Sequence, residues 1–444
     1  MKHKSIFLSI LLSVLATGLR AQSTNEYNSE IFSAYSRYGL GTLMPKTSGM
    51  NNGMGGAGIA LPSTRFLNTL NPASYATIDS LTFLFDIGMS LDRNVASING
   101  KTNGRNNARV THAAAAFRLV RRLGLSIGYR PYSCIGYDYS ISQHVGWNEN
   151  TKQEIRSDNI YHGTGGMHQV YLGLGYSPFR GFSLGFNVGY MWGEYDHAVT
   201  QTFVENGATA SGYMPLLTIY DADLSTYSLD FGAQYSIPLD KKNTLSVGAT
   251  FGLGHKMNSS AEFYRFTSGA DTINITCPKA FSLPMTIGGG LAFSHAGKLH
   301  VAFDVDYQRW SKCDLPTLQS NASGMAYVPT KDNYKDRFAF RIGGEYCPNP
   351  LNRHYVQRIR YRVGAYYQTP YIRVNGINGP KEYGVNAGLV LPITNGINNR
   401  SSVNVGFNWS HVEPSSPGMV RENQYSITLG LTFNEQWFLK WKIK

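Results

Sequence analysis

The sequence predicts an all-β fold: a 14-stranded antiparallel transmembrane β-barrel with an N-terminal hatch, or plug, inside the lumen. Three observations carry this expectation. Apolar and polar residues alternate at period two in fourteen separate segments, the spacing that sets one face of a strand against an apolar medium. The connections between the segments are alternately short and long, as in barrels that cross an outer membrane. Charged residues make up only 15% of the 444 residues while Gly (47), Tyr (29) and Phe (22) are abundant, against roughly 25% charge in soluble domains. A soluble sandwich or propeller would share the alternation, but not the preference of long loops for one side.

Residues 1–21 read as a secretory signal peptide. Lys2, His3 and Lys4 precede the apolar run IFLSILLSVLATGL, and Ala21 stands before the expected cut. No Cys follows that run, so a lipid anchor is not expected. Past residue 21 there is no stretch of about 18 apolar residues, so no transmembrane helix is expected either. Residues 22–80 form the expected hatch segment. It includes GMGGAGIALPSTRFLNTLNPASYATIDS at 53–80, which is small, Gly-rich and almost uncharged.

The barrel is expected over 81–433. Its first strand is the cleanest, with Leu81, Phe83, Phe85, Ile87, Met89 and Leu91 on one face and Thr82, Asp86, Gly88 and Ser90 on the other. The remaining strands are read at 107–119, 123–143, 170–176, 182–192, 227–237, 245–253, 281–293, 299–307, 338–346, 361–367, 383–391, 403–409 and 425–433. The short connections include RRL after 119, PFRG at 178–181 and SHAGK at 294–298; the long ones are 144–167, 193–224, 256–280 and 308–335. A tilted strand of about 11 residues covers about 27 Å, enough for the apolar band. Tyr176, Trp192, Tyr307, Tyr346 and Trp409 stand at strand ends, as interfacial aromatics do. Residues 434–444 form a basic tail.

If the apolar face meets lipid, the opposite face lines the lumen, and it is rich in glycine: Gly185, Gly232, Gly248, Gly290, Gly343, Gly364 and Gly388 among others. Glycine weakens a strand, so its concentration on one face points to close approach of another backbone, with some positions serving curvature instead. A plug threaded through the lumen would account for both this face and the Gly-rich prelude. The same face carries a charged band: Asp304 and Asp306 on the ninth strand, Arg337, Arg341 and Glu345 on the tenth, Arg360 and Arg362 on the eleventh. Such charges on adjacent strands can pair across the ladder, so a structural ion-pair network is expected there ahead of a ligand-steering role. In the third strand Pro131 cannot donate to a ladder, which favours a bulge or kink; the alternative is that it ends one strand and begins another.

At this point the sequence resembles the outer-membrane long-chain fatty acid transporter family, the FadL-like fatty-acid and toluene channels of Gram-negative bacteria. The resemblance rests on MGGAGIA at 54–60 followed by NTLNPASYA at 68–76, on the fourteen strands, and on LGLSIGYRPYSCIGYDYSI at 123–141. It implies that a hatch bearing Asn71, Pro72 and Ala73 sits below a ligand pocket, with Phe66, Leu67 and Leu70 as lining candidates. It also implies that a kink at Gly128 and Pro131 makes a lateral opening through which a hydrophobic substrate leaves. Two departures stand out. The family's acidic pair before Asn-Pro-Ala is absent from STRFLNTL, where Arg65 stands, and the last strand ends at Phe433 well before the C-terminus.

Of the formal net charge of +12, three charges belong to Lys2, Lys4 and Arg20 of the leader. The short turns and tail carry Arg121, Arg122, Arg180, Lys241, Lys242, Lys298, Arg353, Arg358, Arg400, Lys440, Lys442 and Lys444 against only Asp240 and Glu435. The basicity is one-sided, a cationic periplasmic ring that keeps turns solvated and bounds the apolar band, or that docks on anionic lipid or an acidic partner. The cysteines Cys134, Cys277, Cys313 and Cys347 show no metal spacing, and their pairing is open. No metal, no cofactor, no catalytic residue and no nucleic-acid partner are expected, so the protein is not read as an enzyme. The expected role is passive uptake of hydrophobic or amphipathic small molecules at the cell outer membrane, in contact with outer-membrane lipids. The alternative is a docking platform for a periplasmic or secretion-machine protein.

Overall fold

The structure is a computed structural model that describes residues 33–436 apart from 63, 81, 150, 211, 268, 270, 322–323 and 394–400. The expected leader, Leu81, Arg400 and the tail lysines lie outside the described residues. Fourteen antiparallel strands close into a barrel. They are β1 (Thr82–Ile98), β2 (Lys101–Val120), β3 (Leu123–Trp147), β4 (Glu154–Phe179), β5 (Phe182–Glu205), β6 (Leu216–Pro238) and β7 (Asn243–Gly252). The second half comprises β8 (Met285–His295), β9 (Leu299–Arg309), β10 (Arg337–Tyr346), β11 (Arg360–Gln368), β12 (Lys381–Pro392), β13 (Ser402–Glu413) and β14 (Arg421–Gln436). Closure is by β1 on β14, in register from Thr82 opposite Gln436 to Ser97 opposite Arg421. With no free edge strand left at the ends of the sheet, the wall pairs its backbone strand to strand, apart from the stretch beside Pro131 where one ladder stops, and this pairing is the condition for crossing a bilayer.

The wall is inside out relative to a soluble protein. On β5, Phe186 and Val188 face outward and are exposed by 42% and 47%, while Asn187 between them is 3% exposed. On β1 the same holds for Met89 and Leu91 against Ser90 and Asp92. Lipid covers the apolar residues, and the polar ones look into the lumen.

Several strands run further than the apolar alternation. β3 continues to Trp147 and β4 begins at Glu154, so most of the expected 144–167 loop is a hairpin projecting past the apolar band. β5 and β6 extend likewise over much of 193–224. In these extensions the inward residues, among them Ile155, Tyr195, Ala222 and Leu224, are buried while the outward ones, such as Arg156, Glu194, Asp221 and Asp223, are polar, so the apolar-outward alternation that marks the lipid-facing band stops short of the strand ends. β1 and β2 join at Asn99–Gly100, both with positive φ (49° and 77°), the two-residue turn that Asn-Gly favours. The eighth strand is corrected from 281–293 to 285–295. Pro284 has no N–H to give the ladder, and Ser282–Leu283 pairs instead with His255–Lys256. β14 runs to Gln436 rather than ending at Phe433.

The apolar core lies inside the barrel and at its outer end, the end with the long connections. There Trp310 is fully buried between the rings of Tyr334 (5.1 Å) and Tyr371 (4.8 Å). Tyr35 and Leu40, from the segment before β1, join that cluster. The four cysteines are buried and form no disulfide.

Candidate functional site

The residues before β1 fold onto the inward-facing wall. Asn71 caps the 3-10 helix Pro72–Thr77, its Oδ1 accepting from the Ala73 N–H (3.0 Å), with Pro72 at the first helical position where a missing N–H costs nothing. Its Nδ2 donates to the Ile59 (2.9 Å), Ala233 (3.1 Å) and Ala249 (3.3 Å) carbonyls, so this one side chain ties the helix to the Gly-rich turn and to β6 and β7. Asp304 Oδ2 accepts from Gly58 N (2.6 Å) and Ile59 N (2.9 Å). Asp86 Oδ2 accepts from Gly49 N (3.1 Å) and lies 3.0 Å from His112 Nε2, and Arg362 Nη1 donates to the Gly49 carbonyl (3.0 Å).

Inward glycines leave room for this segment. A side chain on Gly364 would run into Gly55 N and the Met54 carbonyl carbon, and one on Gly232 into Asn71. Others face only strand neighbours: Gly384 faces Tyr366 and Gly406 faces Thr428. Both readings of the glycine face therefore have their positions.

The charged band resolves into separate groups. Glu345 holds Arg360 and Arg362, each at 2.6 Å, and Phe66 lies beneath both guanidinium groups (5.6 and 5.2 Å from its ring centre). Arg341 pairs with Asp306. Asp304 takes backbone donors, as above. The Arg337 side chain makes no salt bridge or hydrogen bond among the described residues and lines a cavity.

That cavity, of about 190 Å³, lies between the N-terminal segment and the wall. Of the six lining candidates named from sequence, Leu70 and Pro72 border it. Phe66, Leu67, Asn71 and Ala73 are packed away from it, Asn71 and Ala73 with no exposure. Its walls are more charged than an apolar-ligand pocket would need. Lys46 and Arg130 share Asp230 (3.3 and 3.7 Å), and Arg337, Glu382 and Glu422 also face it. Sequence reading missed Lys46, Arg130, Asp230 and Glu382. Asp230 was accessible to it, standing on the inward face between Leu229 and Phe231.

Beside the cavity the wall has a seam. The ladder between β2 and β3 runs from Val120 opposite Leu123 to Ala113 opposite Tyr129 and ends there, two residues before Pro131. β3 itself continues: its pairing with β4 passes through Pro131 opposite His168 to Ser133 opposite Met167, with Tyr132 bulged between. Pro131 thus interrupts one ladder without ending the strand. Gly128 sits just inside the paired part, against the Tyr171 ring. The freed edge of β3 takes the N-terminal segment, Thr42 opposite Cys134 and Leu43 opposite Ser133, with Met44 N donating to the Tyr132 carbonyl (2.9 Å). Thr42–Thr47, Arg109 of β2 and Arg130–Tyr132 of β3 border the cavity, so it abuts the seam. No cluster of three metal-ligating side chains occurs among the described residues.

Solved outer-membrane channels share this fold. The Pseudomonas aeruginosa FadL homologue aligns with a TM-score of 0.57 at 13% identity, covering 88% of this chain and 98% of its own. The Ralstonia pickettii toluene transporter TbuX gives 0.56 at 12%, covering 88% and 98%. The P. putida toluene transporter TodX gives 0.54 at 13%, covering 89% and 100%. Identity at this level speaks for the barrel architecture alone. Comparison with curated protein sequences gives no match. The BamG family model, by contrast, matches residues 1–444, and with the whole length of the sequence covered, this outer-membrane barrel belongs to the BamG family.

Proposed function

We propose that this protein passes hydrophobic or amphipathic molecules, fatty-acid-like in shape, across the outer membrane, releasing them sideways through the seam between β2 and β3. The observation that carries the reading is the coincidence of three features: the ladder that stops beside Pro131, the seam so formed, and a cavity bordered by residues of both flanking strands. In this reading residues 22–80 act as the hatch, and movement of the Asn71-Pro72-Ala73 turn connects the cavity to the inner end. The charged lining favours a ligand with a polar head, because the half-buried Arg337 guanidinium, which makes no salt bridge among the described residues, borders the cavity and can pair with one. The channels of like fold, described as monoaromatic hydrocarbon or toluene transporters, lend support to a hydrophobic cargo.

The test is to clamp the seam. Arg105 of β2 and Asp138 of β3 face each other across it, 3.8 Å apart at their charged ends. Arg105→Cys with Asp138→Cys, bridged by a short bis-maleimide, should lower exchange of a fluorescent fatty acid in proteoliposomes at least tenfold relative to the unbridged protein. An unchanged rate would remove lateral release from consideration.

A second reading, a docking platform for an assembly or secretion machine, is favoured by the charge of the cavity and by the basic rim of short turns. Arg122, Lys241, Lys242 and Arg353 stand there, with Leu351 exposed by 89% on the longest of the short-side connections. Such a platform would bind a periplasmic or secretion-machine protein and use the N-terminal segment as a permanent seal. A stoichiometric polypeptide retained on purification from the native membrane, with no lipid in the cavity, distinguishes the two.

A further inference from the structure

The charged groups that border the cavity divide into those already matched and those left over. Lys46 and Arg130 share Asp230 (3.3 and 3.7 Å), and Arg341 pairs with Asp306. Arg109 pairs with Asp92 (2.8 Å). Glu422 spends one oxygen on Ala34 N (2.9 Å) and the other on Asn94 Nδ2 (3.2 Å). Arg337 and Glu382 remain. The Arg337 side chain makes no salt bridge or hydrogen bond among the described residues. Glu382 makes no salt bridge among them either; its Oε1 accepts from the Tyr366 hydroxyl (2.9 Å), and its Oε2 has no such donor. Between the two stands Gln368, which lines the cavity at 8% exposure and makes no side-chain hydrogen bond among the described residues. The register makes these three neighbours. Gln368 lies opposite Glu382 on β12 and opposite Ala339 on β10, two residues from Arg337. Cation and carboxylate are thus two strands and two residues apart, about 12 Å at their Cα atoms, and both side chains point inward.

We propose that the cavity receives an amphiphile with a zwitterionic head, its anionic group on Arg337 and an N–H-bearing ammonium on Glu382, with the Gln368 amide between. This rests on the transport reading and narrows its cargo. A plain fatty acid answers only half of the site: its carboxylate would pair with Arg337 while standing beside the like charge of Glu382. An alkylammonium meets the reverse difficulty at Arg337. In an enclosed lumen a charge without its counter-charge is costly, and a head that brings one of each sign matches both side chains. Glu382 Oε2 is a hydrogen-bond acceptor, so the ammonium that suits it carries N–H donors. The Gln368 amide can donate to the anion or accept from the ammonium. An anion and an ammonium a few bonds apart are the chemistry shared by a phosphoethanolamine lipid head and an α-amino acid head.

The experiment uses the full-length protein in phosphatidylcholine nanodiscs, with binding read by native mass spectrometry. Four probes are compared: dodecylphosphoethanolamine, α-aminotetradecanoic acid, dodecylphosphocholine, which keeps both charges but has no N–H donor, and dodecanoic acid. One or both of the first two should bind at least tenfold more tightly than the last two, and which of them does so tells a phospholipid head from an amino-acid head. Arg337→Gln and Glu382→Gln should each lower that affinity at least tenfold, and because both are compared with the parent protein on one probe, partitioning into the bilayer cancels. Glu382→Gln should leave dodecanoic acid binding unchanged or tighter, which a merely structural role would not produce. Gln368→Leu, which alters neither charge, should cost at least threefold and keeps the test open should a charge variant fail the heat-modifiable mobility check for a folded barrel. Equal affinity for all four probes, or affinity for the zwitterions that survives these substitutions, overturns the inference and leaves the transport reading standing. Binding of none of the probes would sink the two together.

Discussion

Replacing Asp304 with alanine should release the Gly-rich turn from the barrel wall while leaving the barrel closed. The carboxylate Oδ2 accepts the Gly58 and Ile59 amides at 2.6 and 2.9 Å, in a site where Asp304 itself has no exposure. A hydrogen bond to a charged group contributes about 1.5–3 kcal/mol, and losing the acceptor also strands two buried N–H groups. Water entering the vacated volume recovers part of that, leaving a cost of about 3–4 kcal/mol on docking of the turn. At about 1.4 kcal/mol per factor of ten, local opening becomes roughly 10² to 10³ times more frequent. Hydrogen exchange at Gly58 through Leu61 reads this directly, and heat-modifiable gel mobility reports whether the barrel is still folded. Asp304→Asn keeps an acceptor without the charge and should lose about half as much. Unchanged protection of these amides in Asp304→Ala, with a folded barrel, would refute the claim that this carboxylate anchors the turn.

Three further outcomes are expected. Gly364→Val places a side chain against the backbone of Met54 and Gly55, where neither partner can give way; docking of residues 53–56 should weaken by about 3 kcal/mol, seen as loss of their amide protection. Asn71→Ala removes the helix cap and three donated hydrogen bonds and should cost about 2–4 kcal/mol, read as faster proteolysis between 60 and 77 in the folded barrel. Asp336, on the loop before β10, carries the pH dependence of the aromatic cap. Burial pushes its carboxyl up, but the Ser311 N–H and hydroxyl and the Tyr307 hydroxyl outweigh this and hold it below the ordinary value. Its contribution is therefore complete above the unfolded carboxylate pKa of about 3.9 and is lost as pH falls through the lower folded value. Trp310 emission should shift in acid below about pH 4, and Asp336→Asn should abolish that shift.

The N-terminal segment was legible in outline because its composition is unusual. A run of small residues beside a glycine-lined face has few uses other than close packing of two backbones, and Met54, Ile59, Asn71 and Pro72 do meet those glycines. The charged band was legible by parity alone: Glu345, Arg360 and Arg362 share a face, and the register of β10 on β11 puts Glu345 opposite Arg362. Parity could not tell that Asp304 serves two amides of the N-terminal segment, or that the Arg337 side chain makes no salt bridge or hydrogen bond among the described residues. Those outcomes depend on where a segment some 245 residues earlier in the chain comes to rest. Leu70 and Pro72 reach the cavity while Phe66 and Leu67 do not, a matter of local folding within a stretch that has no period to read.

By itself the sequence determined the barrel, its strand number and which face meets lipid, because each strand carries its own period-two record of the two media it separates. It also marked Pro131 as a break in a ladder. Which ladder breaks was decided only by the tertiary structure: the one to β2 ends and the one to β4 survives across a bulge. The same holds for the occupant of the freed β3 edge, Thr42–Leu43, and for the cavity where Lys46, Arg130 and Asp230 converge. Pairing across a seam and charge meeting inside a lumen are relations between distant segments, and local side-chain alternation contains no term for them.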